Sequence, residues 1–279
     1  MSVGFCTIAY RLQRLSLPEI IWRIADHGYD EVEIWGAHLD RLESLWEIRH
    51  CLDATGLGVS LISPYLDFTG APRLWKKSLA SAERYLDHAS ELGASGIRVF
   101  TGQKGSCSAS YEQWRDCLTA LRALADMAAG RGLQLYIETH PNTLADTAGA
   151  IKKLLDGIKR TNVGLILDPY NLYEVEGDGV YESVRQLMPT VRHIHLKNAD
   201  TGGLFPSPFP FVHQKRTDLS KVSYLARGDL DYERLFEIFF ESGFSGRYSV
   251  EWFGDDVEGA ASRERGYLAD ILKGRAVNA

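Results

Sequence analysis

Cysteine is scarce in this 279-residue chain: Cys6, Cys51, Cys107 and Cys117 stand far apart, with no Cys-x-x-Cys pair. In a chain this long they read as reduced core or surface thiols, the usage of a cytoplasmic protein. No apolar run approaches the ~18–20 residues a bilayer span needs. The opening MSVGFCTIAYRLQR lacks a basic start, a long apolar run and a small-residue cleavage site, so no signal peptide is expected. Basic charge is not in excess either. The formal net charge is −6 and the charges are interspersed, which counts against nucleic acid as a partner, because that partner selects a basic stripe. Phosphate-cradling signatures are missing: Gly102-Gln-Lys-Gly105 and Gly177-Asp-Gly179 match neither the dinucleotide fingerprint nor the P-loop. With 45% hydrophobic and 24% charged residues, disordered and low-complexity classes are excluded as well.

What is present is one unit that keeps returning: a helical stretch, a glycine, then a short apolar strand. It runs as ADHGYDEVEIWG, DATGLGVSLIS, ELGASGIRVFTG, AGRGLQLYIETH and ESGFSGRYSVEWFG. Gly28, Gly56, Gly93, Gly132 and Gly243 sit where a helix needs a left-handed residue to end. Ser16-Leu-Pro-Glu19 has the form of a capping box that starts one. With the less punctuated units, strands are expected at 4–10, 31–35, 58–63, 96–101, 133–139, 163–168, 191–197 and 247–253. Helices are expected at 16–28, 42–55, 73–93, 110–131, 144–159, 180–188, 231–243 and 258–274. Eight strand–helix units of about 30–35 residues are the arithmetic of a single (β/α)8 TIM barrel domain over residues 1–279. One connection is long. From Ala199 to Gly228 the chain carries three prolines and several aromatics, and loops beyond ~12–15 residues usually have a task. It follows the seventh strand, on the face where barrel enzymes keep their active sites, and reads as a cover for substrate or as an oligomer contact.

Strand alternation then sorts side chains into inward and outward sets. If Leu135, Ile137, Leu165, Leu167, Ile194, Leu196 and Val250 face the helices, then Glu138, His140, Asp168, His193, His195, Lys197 and Glu251 face the barrel interior, with Arg98 from the fourth strand. Barrel interiors are normally layers of branched apolar side chains. A lone strand-end carboxylate is ordinarily a cap or an ion-pair partner. Three carboxylates converging on one small space repel unless a cation neutralises them. Glu138, Asp168, His195 and Glu251 therefore form a candidate divalent metal site. Three oxygen donors and an imidazole suit Mn2+ best, with Mg2+, Co2+ and Zn2+ also compatible. His193 lies deeper, behind the ligands. Glu33, inward on the second strand, reads equally as a functional group or as an ion-pair partner.

At these residues the sequence resembles the xylose-isomerase-like sugar isomerase/epimerase superfamily of metal-dependent barrels. The marks are ETHPNTLADT (138–147), LDPYN (167–171), HIHLKN (193–198), GDLDY (228–232) and SVEWFG (249–254). Together with FCTIAYR (5–11), VEIWGAH (32–38), ISPYLD (62–67) and IRVFTGQKGS (97–106), they resemble the bacterial metal-dependent 3-dehydroshikimate dehydratases, which make protocatechuate. The resemblance implies a lyase with metal ligands at Glu138, Asp168, His195 and Glu251, the metal on the substrate's ketone oxygen, and His140 as general base. It also implies polar contacts from Lys197, which can stabilise the enolate, and from Arg98. Homodimers occur in the superfamily, and a small molecule is the expected partner. At the third position after Asp168 the dehydratase pattern has histidine, whereas this chain has Asn171, as sugar isomerases and epimerases commonly do. A ketose epimerase or aldose–ketose isomerase is thus the alternative, with Asn171 as a substrate contact and two ligand glutamates exchanging the proton. A repair endonuclease would need more inward histidines, and a binding-only barrel would not explain the full ligand set. Tyr65, with Phe205, Phe209 and Phe211 of the long loop, is a candidate to close over the substrate ring.

Overall fold

The structure, a computed structural model, describes residues 1–40, 44–202 and 219–278. Eight parallel strands close into a barrel in sequential order: β1 Ser2–Cys6, β2 Glu31–Trp35, β3 Gly58–Ser63, β4 Gly96–Val99, β5 Gln134–Glu138, β6 Val163–Leu167, β7 Val191–Leu196 and β8 Arg247–Val250. β8 pairs with β1 to shut the ring, Ser2 standing opposite Arg247 and Phe5 opposite Val250. The main helices between them are α1 Leu17–Asp26, α2 Trp46–Thr55, α3 Pro72–Glu91, α4 Tyr111–Ala129, α5 Ala148–Ile158, α6 Val180–Leu187 and α7 Tyr232–Glu241, and α8 Val257–Asn278 follows β8.

The local chemistry that sets these elements is the chemistry expected of the sequence. The Ser16 hydroxyl accepts the Glu19 N–H at 3.4 Å while Glu19 returns the bond to the Ser16 N–H at 2.7 Å, which starts α1. The five helix-ending glycines all hold positive φ, between +68° and +74°. Outward strand residues such as Ile97, Val99, Leu135, Ile137, Leu165 and Ile194 join the helices in one large apolar cluster. Leu61, Tyr136 and Ile166 form a separate small cluster inside the ring, as the alternation requires. No helix among the described residues is long and apolar enough to cross a membrane.

Two boundaries and two short helices stand out against expectation. The first strand stops at Cys6, because Thr7–Tyr10 turns into a buried 3-10 helix whose Thr7 hydroxyl accepts the Trp35 N–H at 2.8 Å. The helix expected from 144 begins at Ala148, since Thr147 caps it and Asp146 instead accepts the Ser106 N–H at 2.9 Å. Short helices at Gly36–Leu39 and Pro169–Glu176 had no apolar period of their own to announce them.

Of the long connection, residues 203–218, with Phe205, Phe209 and Phe211, lie outside the described residues. Its two ends are tied together. Asn198–Ala199 pairs antiparallel with Val222–Ser223, and Asn198 donates to the carbonyls of Leu225 and Leu230 at 3.2 and 2.9 Å. Gly228, at φ +151°, passes so close to the Ala199 carbonyl that any Cβ there would lie 2.6 Å from it.

Candidate active site and metal centre

The inward side chains at the C-terminal ends of the strands converge. One donor atom each from Glu138 at the end of β5, Asp168 after β6, His195 in β7 and Glu251 after β8 lies within 4.8 Å of every other, and all four residues are buried. A Mn2+-class ion holds its oxygen donors at about 2.0–2.2 Å, so donors around one ion stand a few ångströms apart, as these do. Each side chain is fixed by a different device. Asp168 is the N-cap of the Pro169–Glu176 helix, one carboxylate oxygen accepting the Asn171 N–H at 3.0 Å. Glu138 takes the Arg98 guanidinium at 3.0 Å and the Asn171 side-chain amide at 3.3 Å. His195 Nε2 meets the Glu33 carboxylate at 2.9 Å, while its Nδ1 is buried without a hydrogen-bond partner and faces Glu138 at 3.4 Å. A carboxylate behind an imidazole whose other nitrogen points at carboxylates is the second layer that metal-binding histidines use.

The electrostatics fit a cation. Glu33, Glu138, Asp168 and Glu251 are buried together against Arg98 and Lys197, whose ammonium lies 2.7 Å from Asp168 and 3.0 Å from Glu251. Burial works against the charge on Glu138, but Arg98 and His195 outweigh it and hold the carboxyl below its ordinary range. For Asp168 burial wins, aided by Glu251 and Glu138 against Lys197, and the carboxyl is pushed up. A buried aspartate that resists ionisation beside two other carboxylates is the state a divalent ion relieves. Cys6 also comes within 4.8 Å of Glu33 and His195, but the Glu33–His195 hydrogen bond already joins those two.

His140 stands two residues beyond Glu138, its ring edge-on to Phe100 with centroids 4.7 Å apart. Its Nδ1 lies 2.9 Å from the Pro141 carbonyl. A carbonyl only accepts, so Nδ1 carries the proton and Nε2 of the neutral ring is the basic nitrogen. Burial keeps the imidazole neutral, lowering it to about 4 even though Glu138 pulls the other way. Beside His140 opens a cavity of about 190 Å³, walled by Tyr65 and Phe100, which stack at 6.0 Å.

Of the described residues singled out from the sequence for the site, Tyr65 and His140 line the cavity and the others do not. Asn171 is buried, with its amide donating to Glu138 and to the Thr139 carbonyl at 2.8 Å, so it stands behind a ligand. Arg98 is likewise occupied, by Glu138 and by the Ser63 carbonyl at 3.3 Å, its guanidinium 4.1 Å from the Phe100 ring centre. His193 lies deeper and bonds Ser249 at 2.8 Å. Two contributions were not legible. Glu33 had visible parity, but its partner His195 is 162 residues away. Arg11 ends the FCTIAYR phrase, and its guanidinium binds the Phe253 carbonyl at 2.6 Å while lying 4.9 Å from that ring's centre. It thereby fixes the loop that carries Glu251.

A parallel eight-stranded barrel with three carboxylates and an imidazole gathered at its C-terminal mouth defines the class: a TIM barrel with a four-donor cluster that could hold a divalent metal. The family described as xylose isomerase-like TIM barrel matches residues 22–273, and the chain belongs to it. It is 27% identical to a 3-dehydroshikimate dehydratase of Bacillus anthracis over 97% of each chain. The crystal structure of the probable 3-DHS dehydratase AsbF, involved in petrobactin synthesis in the same organism, superposes with a TM-score of 0.82 at 26% identity, covering 96% of this chain and 99% of that one. A D-allulose 3-epimerase from Methylomonas sp. superposes at 0.79 over 97% of this chain and 98% of that one, but at 16% identity that likeness shows the fold alone.

Proposed function

We propose that the chain is a lyase that dehydrates 3-dehydroshikimate to protocatechuate with a divalent metal, Mn2+ by preference, and a histidine general base. The observation that carries this reading is His140, a neutral imidazole with Nδ1 committed to a carbonyl, two residues beyond the donor Glu138 and on the wall of the 190 Å³ cavity. Its similarity to the Bacillus anthracis dehydratase across nearly the whole of both chains supports it.

Glu138, Asp168, His195 and Glu251 would hold the ion, which supplies positive charge beside the substrate ketone and so acidifies the neighbouring C–H. His140 Nε2 takes that proton. The imidazolium so formed is the nearby acid that returns a proton to the hydroxyl one carbon further, which leaves as water. Transfer of a further ring proton to the former ketone oxygen gives the aromatic product, so the balance is one substrate to one protocatechuate and one water. Lys197, held by Asp168 and Glu251, places a fixed ammonium at the mouth, where negative charge gathers on the enolate. Tyr65 and Phe100 offer flat faces to the ring as it becomes planar.

The epimerase alternative asks the ligand glutamates to move protons. Glu138 is pinned by Arg98 and Asn171, and Glu251 by Lys197. The bond from Arg98 makes Glu138 a poor base, whereas His140 is a neutral imidazole on the wall of the cavity. The test is His140→Ala. The reading expects Mn2+ binding to survive while turnover of 3-dehydroshikimate falls ~100-fold or more, the usual contribution of a positioned base. Near-normal turnover would remove His140 from the mechanism.

A further inference from the structure

The substrate of that reaction is an anion. Its carboxylate sits on the ring carbon across from the one that gives up the proton, so a bound ring directs it away from His140 and the metal. The two cations inside the site are already tied to protein groups. Arg98 gives Nη1 to Glu138 and Nη2 to the Ser63 carbonyl and keeps only its buried Nε without a hydrogen-bond partner, and Lys197 is held between Asp168 and Glu251. A carboxylate left without a partner in a partly enclosed cavity loses hydration and gains nothing in return.

The cavity that His140 lines continues outward between β3 and α3 on one side and the turn after β4 on the other. There Lys77 of α3 joins Tyr65, Phe100 and Gln103 in its wall. None of the ion pairs found among the described residues involves Lys77. The one carboxylate sharing this wall, Asp67, spends Oδ1 on the Thr69 N–H and hydroxyl and on the Gly70 N–H, at 2.9, 3.1 and 3.1 Å, which ties the turn behind the cavity. A cavity of about 190 Å³ lined by two aromatic rings, an imidazole and the exposed Lys77, which has no ion-pair partner among the described residues, suits a flat six-membered ring bearing a single carboxylate.

We propose that Lys77 is the residue that reads the substrate's ring carboxylate, and that it selects a cyclic carboxylate over a neutral ketose of similar size. This rests on the dehydratase reading and names the recognition element within it. The resemblance gives Arg98 only a polar contact with the substrate and leaves the carboxylate unassigned.

The test compares the Mn2+-loaded wild type with Lys77→Met and Lys77→Arg in two assays. One is steady-state turnover of 3-dehydroshikimate. The other is calorimetric binding of shikimate, which keeps the carboxylate and lacks the ketone. Losing one charge-assisted hydrogen bond is expected to raise KM about 10–100-fold in Lys77→Met. kcat should stay within about threefold, shikimate binding should weaken in parallel, and Lys77→Arg should recover most of both. A KM within twofold of wild type overturns the proposal. So does a loss of kcat accompanied by a lowered urea midpoint, which would make the residue structural. If the wild type turns over no 3-dehydroshikimate, the dehydratase reading fails, and shikimate binding still decides the role of Lys77. Binding lost in Lys77→Met supports a carboxylate subsite, whereas equal or absent binding in both proteins overturns it.

Discussion

Replacing Glu33 by glutamine tests whether the arrangement behind His195 serves a metal. Glu33 is not one of the four donors; it makes the 2.9 Å bond to His195 Nε2, backed by a 2.5 Å bond from the Ser63 hydroxyl. The carboxylate fixes which imidazole nitrogen is turned to the site and raises the basicity of that nitrogen. Glutamine keeps the shape and one accepting oxygen but removes the charge. Changes of this kind behind a ligand cost 10–100-fold in metal affinity, which is about 1.4–2.8 kcal/mol. Alanine is the poorer choice, because it would also strand a buried imidazole N–H at a cost of ~1–3 kcal/mol to the fold. Calorimetric titration of chelator-stripped protein with Mn2+ measures the effect, and urea midpoints confirm an intact fold. Mn2+ affinity within twofold of wild type, with the fold unchanged, would refute the reasoning and return Glu33 to the status of an ion-pair partner.

Other outcomes follow from the same structure. Glu264 of α8 is buried, accepts the Leu225 N–H at 2.9 Å, and is raised by burial to about 7. A carboxyl raised in the native state binds protons that the unfolded chain releases. Its contribution is therefore whole below about pH 4.5 and lost as pH rises through 7. Urea midpoints should fall between pH 5 and 8, and Glu264→Gln should flatten that slope, gaining up to ~3 kcal/mol at pH 8. A Cβ at Gly96 would lie 2.0 Å from the Gln134 carbonyl oxygen, between β4 and β5. Gly96→Ala should thus cost ~3 kcal/mol in unfolding free energy, at the upper end for overpacking. Gly28→Ala, at φ +74° in open space, should cost only ~1–2 kcal/mol.

The barrel was legible because its punctuation is local. Each left-handed glycine and each cap is a statement about a few neighbouring residues, and strand alternation needs only one strand to be read. The same alternation delivered Glu138, Asp168, His195 and Glu251, since an acidic residue on the inward side of an apolar strand stands out wherever it occurs. What stayed hidden depends on distance along the chain. Parity shows that Asn171 and Arg98 are near the centre, but not that their donors are spent on Glu138. Nor does parity show that Lys77, an unremarkable helical lysine, reaches a cavity shared with a residue 63 positions later. The first strand ran long on paper because FCTIAY alternates well enough, and only the tertiary bond from Trp35 to Thr7 turns it at Cys6.

The most direct test of the account is to strip the protein with chelator, reload it with Mn2+ and follow the near-ultraviolet band of protocatechuate after adding 3-dehydroshikimate. The account predicts that the band grows with the reloaded protein and not with the stripped one. A flat trace from protein that calorimetry shows to have bound Mn2+ would contradict it, leaving the metal site standing and the dehydration chemistry refuted.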